Sequence, residues 1–488
     1  MLINRFHTVI LFTAIPVYLV AAYFSTGYYH PDEHFQIVEF ADYKLGVTSA
    51  QELPWEYQAN IRSAMQPALC YCFLKVLGGI GIENPYDQAL VLRLLSALFS
   101  LYVVNRFVAA TITMLREPWR KYYILLSCFL WFLPFLSVRF SAENWSGNFF
   151  LLALASLLKG HPSPKRSFTV AGIWMAMAFL FRYQTLLLTI SMLCWLLFIK
   201  KERYRNLIVL STAFLAVTLL GILVDAWFYE DFVIVCWKYI HMTLLAGTPP
   251  LFGIEPWYFY LTEIIHMPFF LIGGCMLLTL VVTCIKTPTS WLVWLIVPFM
   301  LIHSLIAHKE LRFLFPVAKL VPLLLILGLQ VIFAWPPVNR VTSFKYLITT
   351  LLVIALLVNT VALLAAAFTP AGSESKEITA YINRAFKNKC INLYLLGSIP
   401  LFIGGENFYD QDQLSIIPLK SVKELPYIER DKSLVNLLVV QTDQWTQAQN
   451  YPFHLKMEKQ SMLPWVASII NFQQPTKVEP ALTLFSIQ

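Results

Sequence analysis

The chain has 488 residues, of which 58% are hydrophobic and only 13% are charged. A soluble domain contains about 45–50% apolar and about 25% charged residues, so this composition excludes a water-soluble globular protein. The tail after Pro370 holds 11 basic and 11 acidic residues, and the whole net charge of +8 therefore lies before it. No clustered basic face is evident in the sequence, and a nucleic-acid partner is not expected.

Eleven apolar segments approach or reach the length that crosses a bilayer, and they predict an all-α polytopic membrane protein. The segments are residues 8–27, 89–112, 122–138, 148–158, 167–181, 184–199, 207–226, 266–285, 291–307, 314–334 and 346–368. Alternate connections carry 14 Lys and Arg residues beside only Glu117 and Glu202, which assigns these connections to the cytoplasm. The acidic connections and the tail are therefore expected on the non-cytoplasmic side.

Two of the non-cytoplasmic connections are long. Residues 28–88 contain HPDEHFQ near their start, shortly after the first predicted membrane helix, and residues 227–265 contain the run TPPLFGIEPWYFY. The proline, glycine and aromatic residues of the second run favour a folded loop at the membrane surface. Both connections are expected to cover a site.

The composition changes at residue 370, which predicts a membrane module over residues 1–370 and a separate domain over residues 371–488. Within the tail, SKEITAYINRAFKNK has the pattern of an amphipathic helix. INLYLLG and LVNLLVV have the composition of buried strands. The tail is therefore predicted to be a small extracytoplasmic α/β domain.

The acidic pair Asp32–Glu33 is the first candidate for chemistry, because it follows directly after a membrane helix. A carboxylate in such a place can remove a proton from a substrate hydroxyl. An alternative role for Asp32 is to cap the N-terminus of the following helix. Capping does not account for the other charged residues on the same side, which include Glu56 and Glu143.

The segment HKELRF is the second candidate, because it places His308, Lys309 and Arg312 at one membrane boundary. Interfacial anchoring is one explanation for such cations. Binding of an anionic phosphate is the other, and it accounts better for three different cationic or protonatable side chains. Arg62 and Arg139 lie in other non-cytoplasmic segments and could assist them. The aromatic run that begins at Trp257 is either an interface belt or a platform for a sugar.

The motifs HPDEHFQ, LPWEYQANIRS, FGIEPWYFY and HKELRFLFP, in this order and spacing, resemble the Alg9-like mannosyltransferase family. The resemblance covers roughly residues 1–340 and is nearest to the glycosylphosphatidylinositol (GPI) mannosyltransferases. It implies a GT-C fold, a catalytic carboxylate in the first non-cytoplasmic loop and a polyprenyl-phosphate sugar donor, usually dolichyl-phosphate mannose. Glu255 stands where the GPI enzymes often have a histidine before Pro-Trp.

The expected reaction is an inverting transfer of mannose to a hydroxyl of a lipid-linked glycan. Asp32 is predicted to be the base, with Glu33 as its catalytic neighbour, and fixed cations stabilise the phosphate that leaves. Because the cations supply this charge, no metal or other cofactor is obligatory, and no metal-binding pattern is evident. The predicted phosphate-binding residues are His308, Lys309, Arg312, Arg62 and Arg139, and the predicted acceptor-binding residues are Glu56, Glu143, Glu255 and Trp257.

Two other functions are compatible with a charged polytopic protein. A secondary transporter would line a path at the bilayer midplane and often shows two related halves, which this sequence lacks. A non-catalytic subunit of a glycosylation complex is the other alternative. The protein is expected to be a monomer among membrane lipids. The sequence slightly favours a bacterial inner membrane, with the endoplasmic reticulum membrane as the eukaryotic alternative.

Overall fold

The computed structural model describes residues 2–159, 163–371, 374–397, 406–409, 411, 413–421, 423–424, 434–441, 454–473 and 481–487. Within these residues, the α-helices that precede the tail are α1 (Leu2–Phe24), α2 (Pro31–Glu33), α3 (Glu39–Leu45), α4 (Trp55–Ala59), α5 (Met65–Gly79), α6 (Pro85–Thr111), α7 (Glu117–Phe129), α8 (Phe132–Ser137), α9 (Ala142–Leu158), α10 (Pro164–Phe181), α11 (Leu186–Cys194), α12 (Tyr204–Tyr229), α13 (Val235–Ile240), α14 (Phe259–His266), α15 (Phe270–Lys286), α16 (Trp291–Leu305), α17 (Phe315–Ala318), α18 (Val321–Ala334), α19 (Pro336–Arg340) and α20 (Thr342–Ala367).

Each of the eleven predicted segments contains helix, but their lengths differ from the prediction. Among the described residues, four helices are long and apolar enough to cross a bilayer, namely Arg5–Phe24, Pro85–Met114, Tyr204–Tyr229 and Thr342–Ala367. A fifth span arises if Leu311–Ala318 and Val321–Ala334, which meet at a 73° bend, are counted as one. The protein is thus a multi-pass membrane protein, and the count of eleven spans stays a prediction.

The bend between α17 and α18 follows from proline chemistry. Pro316 and Pro322 each lie in the first turn of a helix. Proline is tolerated there because the first helical N–H groups have no intrahelical partner, but it prevents the preceding helix from continuing. The end of the HKELRF segment and α17 consequently form a short piece of chain at an angle to α18.

Helix α9 is the centre of the membrane module. Almost all of its residues are buried, and it packs against α6, α10 and α17. Its Gly147 lies directly against the Pro316 backbone, where a side chain would not fit. The ammonium of Lys319 donates hydrogen bonds to the amide oxygens of Asn144 and Asn148 at 2.5 and 2.6 Å. These bonds satisfy a buried charge and fix α9 to the junction of α17 and α18.

The described residues of the tail form a five-stranded sheet of β1 (Ile391–Leu396), β2 (Leu414–Leu419), β3 (Val435–Gln441), β4 (Leu455–Gln460) and β5 (Leu482–Ile487), in the order β2-β1-β3-β5-β4. The first three strands in this order are parallel, and β5 pairs antiparallel with both β3 and β4. Helices α21 (Glu374–Ala385) and α22 (Pro464–Gln473) accompany it. The helix and the two strands predicted in the tail correspond to α21, β1 and β3.

The tail packs against the connection that follows α1. The His34 ring stacks between the rings of Tyr28 and Tyr409, with centroid distances of 5.3 and 5.2 Å. The Phe408 backbone N–H donates to a Glu39 carboxylate oxygen at 3.2 Å. These contacts join the sheet-bearing part of the chain to the loop that carries Asp32 and Glu33.

Candidate active site

Asp32 lies in the one-turn helix α2, directly after α1. His30 caps this turn, because its Nδ1 accepts a hydrogen bond from the Asp32 backbone N–H at 3.1 Å. The Asp32 carboxylate accepts from Arg312 Nη1 at 2.8 Å, and Arg62 Nη2 lies 3.6 Å from the same oxygen. The first predicted carboxylate and the second predicted basic segment are therefore in direct contact.

The Asp32 carboxylate is ionised in this setting. Burial would raise the pKa of Asp32, but the adjacent His30 ring and the Arg312 guanidinium outweigh it and hold the pKa well below its ordinary value. Glu310 behaves in the same way. Burial opposes its charge, yet its hydrogen bond with Arg312 lowers the pKa of Glu310 to about 2.

Arg312 is the centre of a charged network. Besides Asp32, its guanidinium contacts Glu143 at 3.1 Å and Glu310. The same Glu143 oxygen accepts from Arg182 Nη1 at 2.6 Å. Three carboxylates around Arg312 fix its orientation, since a guanidinium donates in a planar, directional pattern.

Glu310 links this network to two histidines. His308 Nε2 lies 2.8 Å from one Glu310 oxygen, and His30 Nε2 lies 3.3 Å from the other. His308 and His30 come from different motifs, HKELRF and HPDEHFQ. Glu310 therefore joins the two motifs that the sequence analysis assigned to one site.

A small polar pocket of about 50 Å³ opens beside the carboxylate. The pocket lies between the first loop, the N-terminal end of α5, and the ends of α9 and α10. Its polar lining comprises Asp32, Glu33, Gln36, Arg62, Ser63, Gln66, Glu143, Arg182, Gln184, Tyr239 and Arg312. Glu56 lies just behind this lining, where it accepts from Gln36 Nε2 at 2.9 Å and is 3.6 Å from Arg62.

Glu33 differs from its neighbour. Its carboxylate accepts a long hydrogen bond from the Tyr29 backbone N–H at 3.5 Å. Burial raises the pKa of Glu33 to about 7, and the charge of Arg139 only partly opposes this increase. Two adjacent carboxyl groups therefore have different protonation behaviour, which is the pattern expected where one is to carry charge and the other a proton.

Two predicted phosphate-binding cations bind backbone instead. Lys309 Nζ donates to the carbonyl oxygens of Glu255 at 2.7 Å and Ala307 at 3.3 Å. Arg139 donates to the Ser25 carbonyl oxygen at 2.8 Å. Both side chains thus fix loops around the pocket, and their contact with phosphate stays a prediction.

Two predicted acceptor-binding residues lie outside the pocket lining. Glu255 is exposed, and the Trp257 side chain is 68% exposed to its surroundings. Both belong to the loop that Lys309 anchors through the Glu255 carbonyl. Their role in binding the acceptor stays a prediction.

Sequence reasoning assigned no role to several residues that the structure brings to the site. His30 belongs to the motif HPDEHFQ and Glu310 to HKELRF, and membership of these motifs was the only indication in the sequence that they lie at the site. Arg182 was visible as a charge between two apolar segments, where a charge usually faces a cavity or a partner. Gln66 gave no signal, because a single glutamine near a helix start is common.

A large apolar cavity of about 480 Å³ lies next to the segments that carry Asp32 and Arg312. Tyr29, three residues before Asp32, lines it, and so do Leu311 and Leu314 on either side of Arg312. The other walls come from α8, α14, α15, α16, α17, α18, α20 and α22. The same two chain segments therefore carry a charged group on the polar pocket and an apolar group on this cavity.

Among the described residues, no group of three or more His, Cys, Asp and Glu side chains has an arrangement suited to a metal ion. Metal independence nevertheless stays a prediction, since it depends on the reaction. The arrangement itself can accept a proton at Asp32 and stabilise an anion at Arg312.

The fold of this chain matches that of solved structures. ArnT from Cupriavidus metallidurans bound to undecaprenyl phosphate aligns over 98% of this chain and 97% of that chain, with a TM-score of 0.53 and 11% identity. The apo form of the same protein aligns over 100% and 98%, with a TM-score of 0.51 and 12% identity. This likeness concerns the fold alone, which is the GT-C fold.

Comparisons with curated sequences identify relatives over part of their length. GPI alpha-1,2-mannosyltransferase 3 of Xenopus laevis is 27% identical over 304 residues, which are 59% of this chain and 53% of the relative. The Homo sapiens protein of the same name is 23% identical over 299 residues, which are 59% and 51%. The chain spans about half the length of the curated relatives it matches. Residues 8–395 match the family pattern, and the chain belongs to the Alg9-like mannosyltransferase family.

Proposed function

We propose that this protein transfers mannose from a polyprenyl-phosphate donor to a hydroxyl of a lipid-linked glycan, on the non-cytoplasmic face of its membrane. The observation that carries the proposal is the contact between the Asp32 carboxylate and the Arg312 guanidinium, 2.8 Å apart, at the meeting of a polar pocket and an apolar cavity. A lipid-linked sugar phosphate needs both environments at once.

Asp32 acts as the base. It accepts the proton of the acceptor hydroxyl while the hydroxyl oxygen forms a bond to C1 of the mannose. The bond between C1 and the phosphate oxygen breaks in the same step, and its electron pair leaves with the phosphate. Because the phosphate is already a good leaving group, a single base is sufficient and the configuration at C1 inverts.

Arg312 stabilises the departing phosphate. Its guanidinium is held by Asp32, Glu143 and Glu310, so it is oriented before the charge on the phosphate develops. His308 and Arg62 assist from the two sides of this network. Lys309 and Arg139 are proposed to act mainly by holding the surrounding loops, in view of their bonds to carbonyl oxygens.

The apolar cavity is proposed to hold the polyprenyl chain. Its lining is mostly aliphatic and aromatic, and a buried chain gains about 0.8 kcal/mol for each CH₂ group removed from water. ArnT, which shares the fold, has been solved with undecaprenyl phosphate bound, and this supports a lipid donor of that type.

The acceptor is proposed to be a GPI-type glycolipid, because several curated relatives are named GPI mannosyltransferases. Glu33, Glu56 and Glu143 would orient its hydroxyls, and the loop with Glu255 and Trp257 would contact it farther out. The curated relatives from animals, a plant and a yeast are all eukaryotic proteins, so we propose the endoplasmic reticulum membrane in place of the bacterial inner membrane that the sequence slightly favoured. The protein is proposed to act as a monomer.

Two measurements test the proposal. Purified protein in detergent should transfer labelled mannose from dolichyl-phosphate mannose to glycolipids extracted from cells that lack the protein. Mass spectrometry of those cells should show a glycolipid truncated by one hexose. Solute uptake into proteoliposomes without sugar transfer would indicate the transporter instead, and normal glycolipids in cells carrying Asp32→Asn would indicate a non-catalytic subunit.

A further inference from the structure

The polar pocket contains buried hydrogen-bonding atoms that the proposed proton transfer does not use. Gln66 is 2% exposed and Arg182 is 6% exposed. Within the described part of the chain, Gln66 Oε1 and Arg182 Nε have no hydrogen-bond partner, although both residues line the pocket. Leaving a buried polar atom unpaired destabilises a folded protein, so such atoms call for an explanation.

Both side chains are held in place by their other atoms. Gln66 Nε2 donates to the Phe140 carbonyl oxygen at 3.2 Å. Arg182 Nη1 donates to Glu143 at 2.6 Å, and the guanidinium carbon lies 5.2 Å from the centre of the Phe313 ring. The acceptor Gln66 Oε1 and the donor Arg182 Nε are thus fixed on the pocket lining, with no partner among the described residues.

An alcohol hydroxyl satisfies both kinds of atom, because it donates one hydrogen bond and accepts others. The remaining lining combines charged groups with the aromatic residues Phe181 and Tyr239. Polar atoms that fix orientation beside an apolar or aromatic surface are the usual features of a small-molecule site. A sugar ring presents both hydroxyl groups and an apolar face.

We infer that Gln66 and Arg182 bind hydroxyl groups of the hexopyranose ring that reacts at Asp32. This inference rests on the proposed function and adds the residues that recognise the sugar. The ring belongs either to the donor mannose or to the acceptor sugar, since both must reach Asp32. The recognition chemistry is the same for the two.

Sugars that lack one hydroxyl test the inference. Wild-type protein and the variants Gln66→Leu and Arg182→Lys are assayed with polyprenyl-phosphate mannose and with its 2-, 3-, 4- and 6-deoxy forms. Arg182→Lys keeps the positive charge near Glu143 but removes the guanidinium Nε–H. The wild type should lose roughly tenfold or more in kcat/KM for the deoxy sugar whose hydroxyl is bound, because a buried atom is then left unpaired.

The corresponding variant should lose little further activity with that same deoxy sugar, because its own partner atom is already gone. A matched control is Gln330→Leu. Gln330 is a buried glutamine whose Nε2 also has no partner in the described residues. Its Oε1 accepts a hydrogen bond from the Arg116 backbone N–H, and the residue does not line the pocket. Gln330→Leu should show the same loss of kcat/KM as the wild type with every deoxy sugar.

The outcomes separate the two sources of the ring. If a variant no longer loses kcat/KM when the donor is replaced by its deoxy form, the site binds the donor mannose. If it no longer loses kcat/KM when the acceptor glycolipid is replaced by a deoxy form, the site binds the acceptor sugar. Full penalties in both variants, with either set of sugars, would overturn the inference while transfer by the wild type upheld the proposed function. If Gln66→Leu fails to fold in a thermal unfolding assay, Arg182→Lys decides the outcome alone.

Discussion

Asp32 must be both ionised and available if it is to act as a base. Its contacts with His30 and Arg312 lower its pKa and favour the ionised form, but a carboxylate with a low pKa is a weak base. The leaving phosphate resolves this conflict, because bond breaking at C1 makes the attacking hydroxyl more acidic as the reaction proceeds. Asp32 then needs to accept the proton only late in the step.

The first residue-scale prediction concerns Asp32→Asn. The amide cannot accept the proton, so kcat should fall by roughly 10²–10⁴, while binding of the donor changes little. Transfer of labelled mannose and binding of dolichyl-phosphate mannose measure the two quantities. Asp231→Asn, a change at an exposed aspartate of the connection after α12, is the control. Near-normal turnover by the purified Asp32→Asn protein would falsify the base assignment.

The second residue-scale prediction concerns Glu33 and pH. Burial raises the pKa of Glu33 to about 7 from an ordinary value of 4.5, so the folded state binds a proton that the unfolded state has released between these values. The free energy of unfolding contributed by Glu33 is therefore complete below pH 4.5 and decreases as pH rises to about 7. Glu33→Gln removes this titration and should raise the melting temperature at pH 8 more than at pH 5.

Thermal unfolding in detergent at the two pH values measures this difference. Glu83→Gln, at an exposed glutamate of the same connection, is the control. A melting temperature that changes equally in both variants, at both pH values, would show that burial of Glu33 does not govern its protonation.

At the scale of the elements, the sequence predicted what depends on local pattern. Apolar runs predicted the helices, and alternating or continuous apolar residues predicted β1 and β3. Asp32 and Arg312 were assigned to one site from the sequence. Their direct contact, and the contact of Arg312 with Glu143, were not predictable from local pattern, because Asp32 and Glu143 are 280 and 169 residues from Arg312 along the chain. The carbonyl contacts of Lys309 were equally hidden, since a lysine in a basic motif gives no indication that its ammonium binds backbone.

Gly147 provides the element-scale prediction. A Cβ at this position would lie 2.8 Å from the Pro316 carbonyl oxygen and 2.9 Å from the Pro316 Cα, so Gly147→Ala must separate α9 from α17. Glu143 is one turn before Gly147, and Arg312 is four residues before Pro316. The variant should therefore disturb the contact between Glu143 and Arg312 and lower kcat/KM by roughly tenfold to a hundredfold.

The matched control for this prediction is Gly274→Ala. Gly274 lies in α15, and a Cβ there would meet nothing within 4 Å. Transfer assays on both variants, with melting temperatures for each, make the comparison. Equal activity of the two proteins would mean that the close approach of α9 and α17 does not position the charged network.

At the scale of the whole molecule, the tail contacts the segment after α1, which also carries Asp32 of the active site. His34, two residues after Asp32, is stacked on Tyr409, and Glu39 accepts from the backbone beside it. The sequence predicted the helix and two strands of the tail but no role for it. Such a role depends on contacts between distant segments, which local patterns do not encode. The domain boundary at residue 370 stays a prediction.

The first prediction at this scale is that Tyr409→Ala reduces transfer although Tyr409 does not line the polar pocket. Loss of the ring contact with His34 should allow the loop around Asp32 to move and lower kcat severalfold. Hydrogen exchange of residues 28–45 should become faster. Phe472→Ala, at a tail aromatic side chain that is 86% exposed, is the control. Unchanged exchange and turnover in Tyr409→Ala would contradict a supporting role for the tail.

The apolar cavity also joins the two parts of the chain, because α20 supplies one wall and Ile469 and Ile470 of α22 supply another. If the cavity holds the polyprenyl chain, Ile470→Trp should exclude part of that chain. Excluding each CH₂ group costs about 0.8 kcal/mol, so loss of two such groups weakens binding by about tenfold. The variant should therefore lose kcat/KM with dolichyl-phosphate mannose but keep it with citronellyl-phosphate mannose, whose short chain does not need the whole cavity. Phe472→Trp, on the same helix but exposed, should use both donors as the wild type does. An equal loss with the two donors would mean that α22 does not contact the lipid, and that the cavity has another occupant.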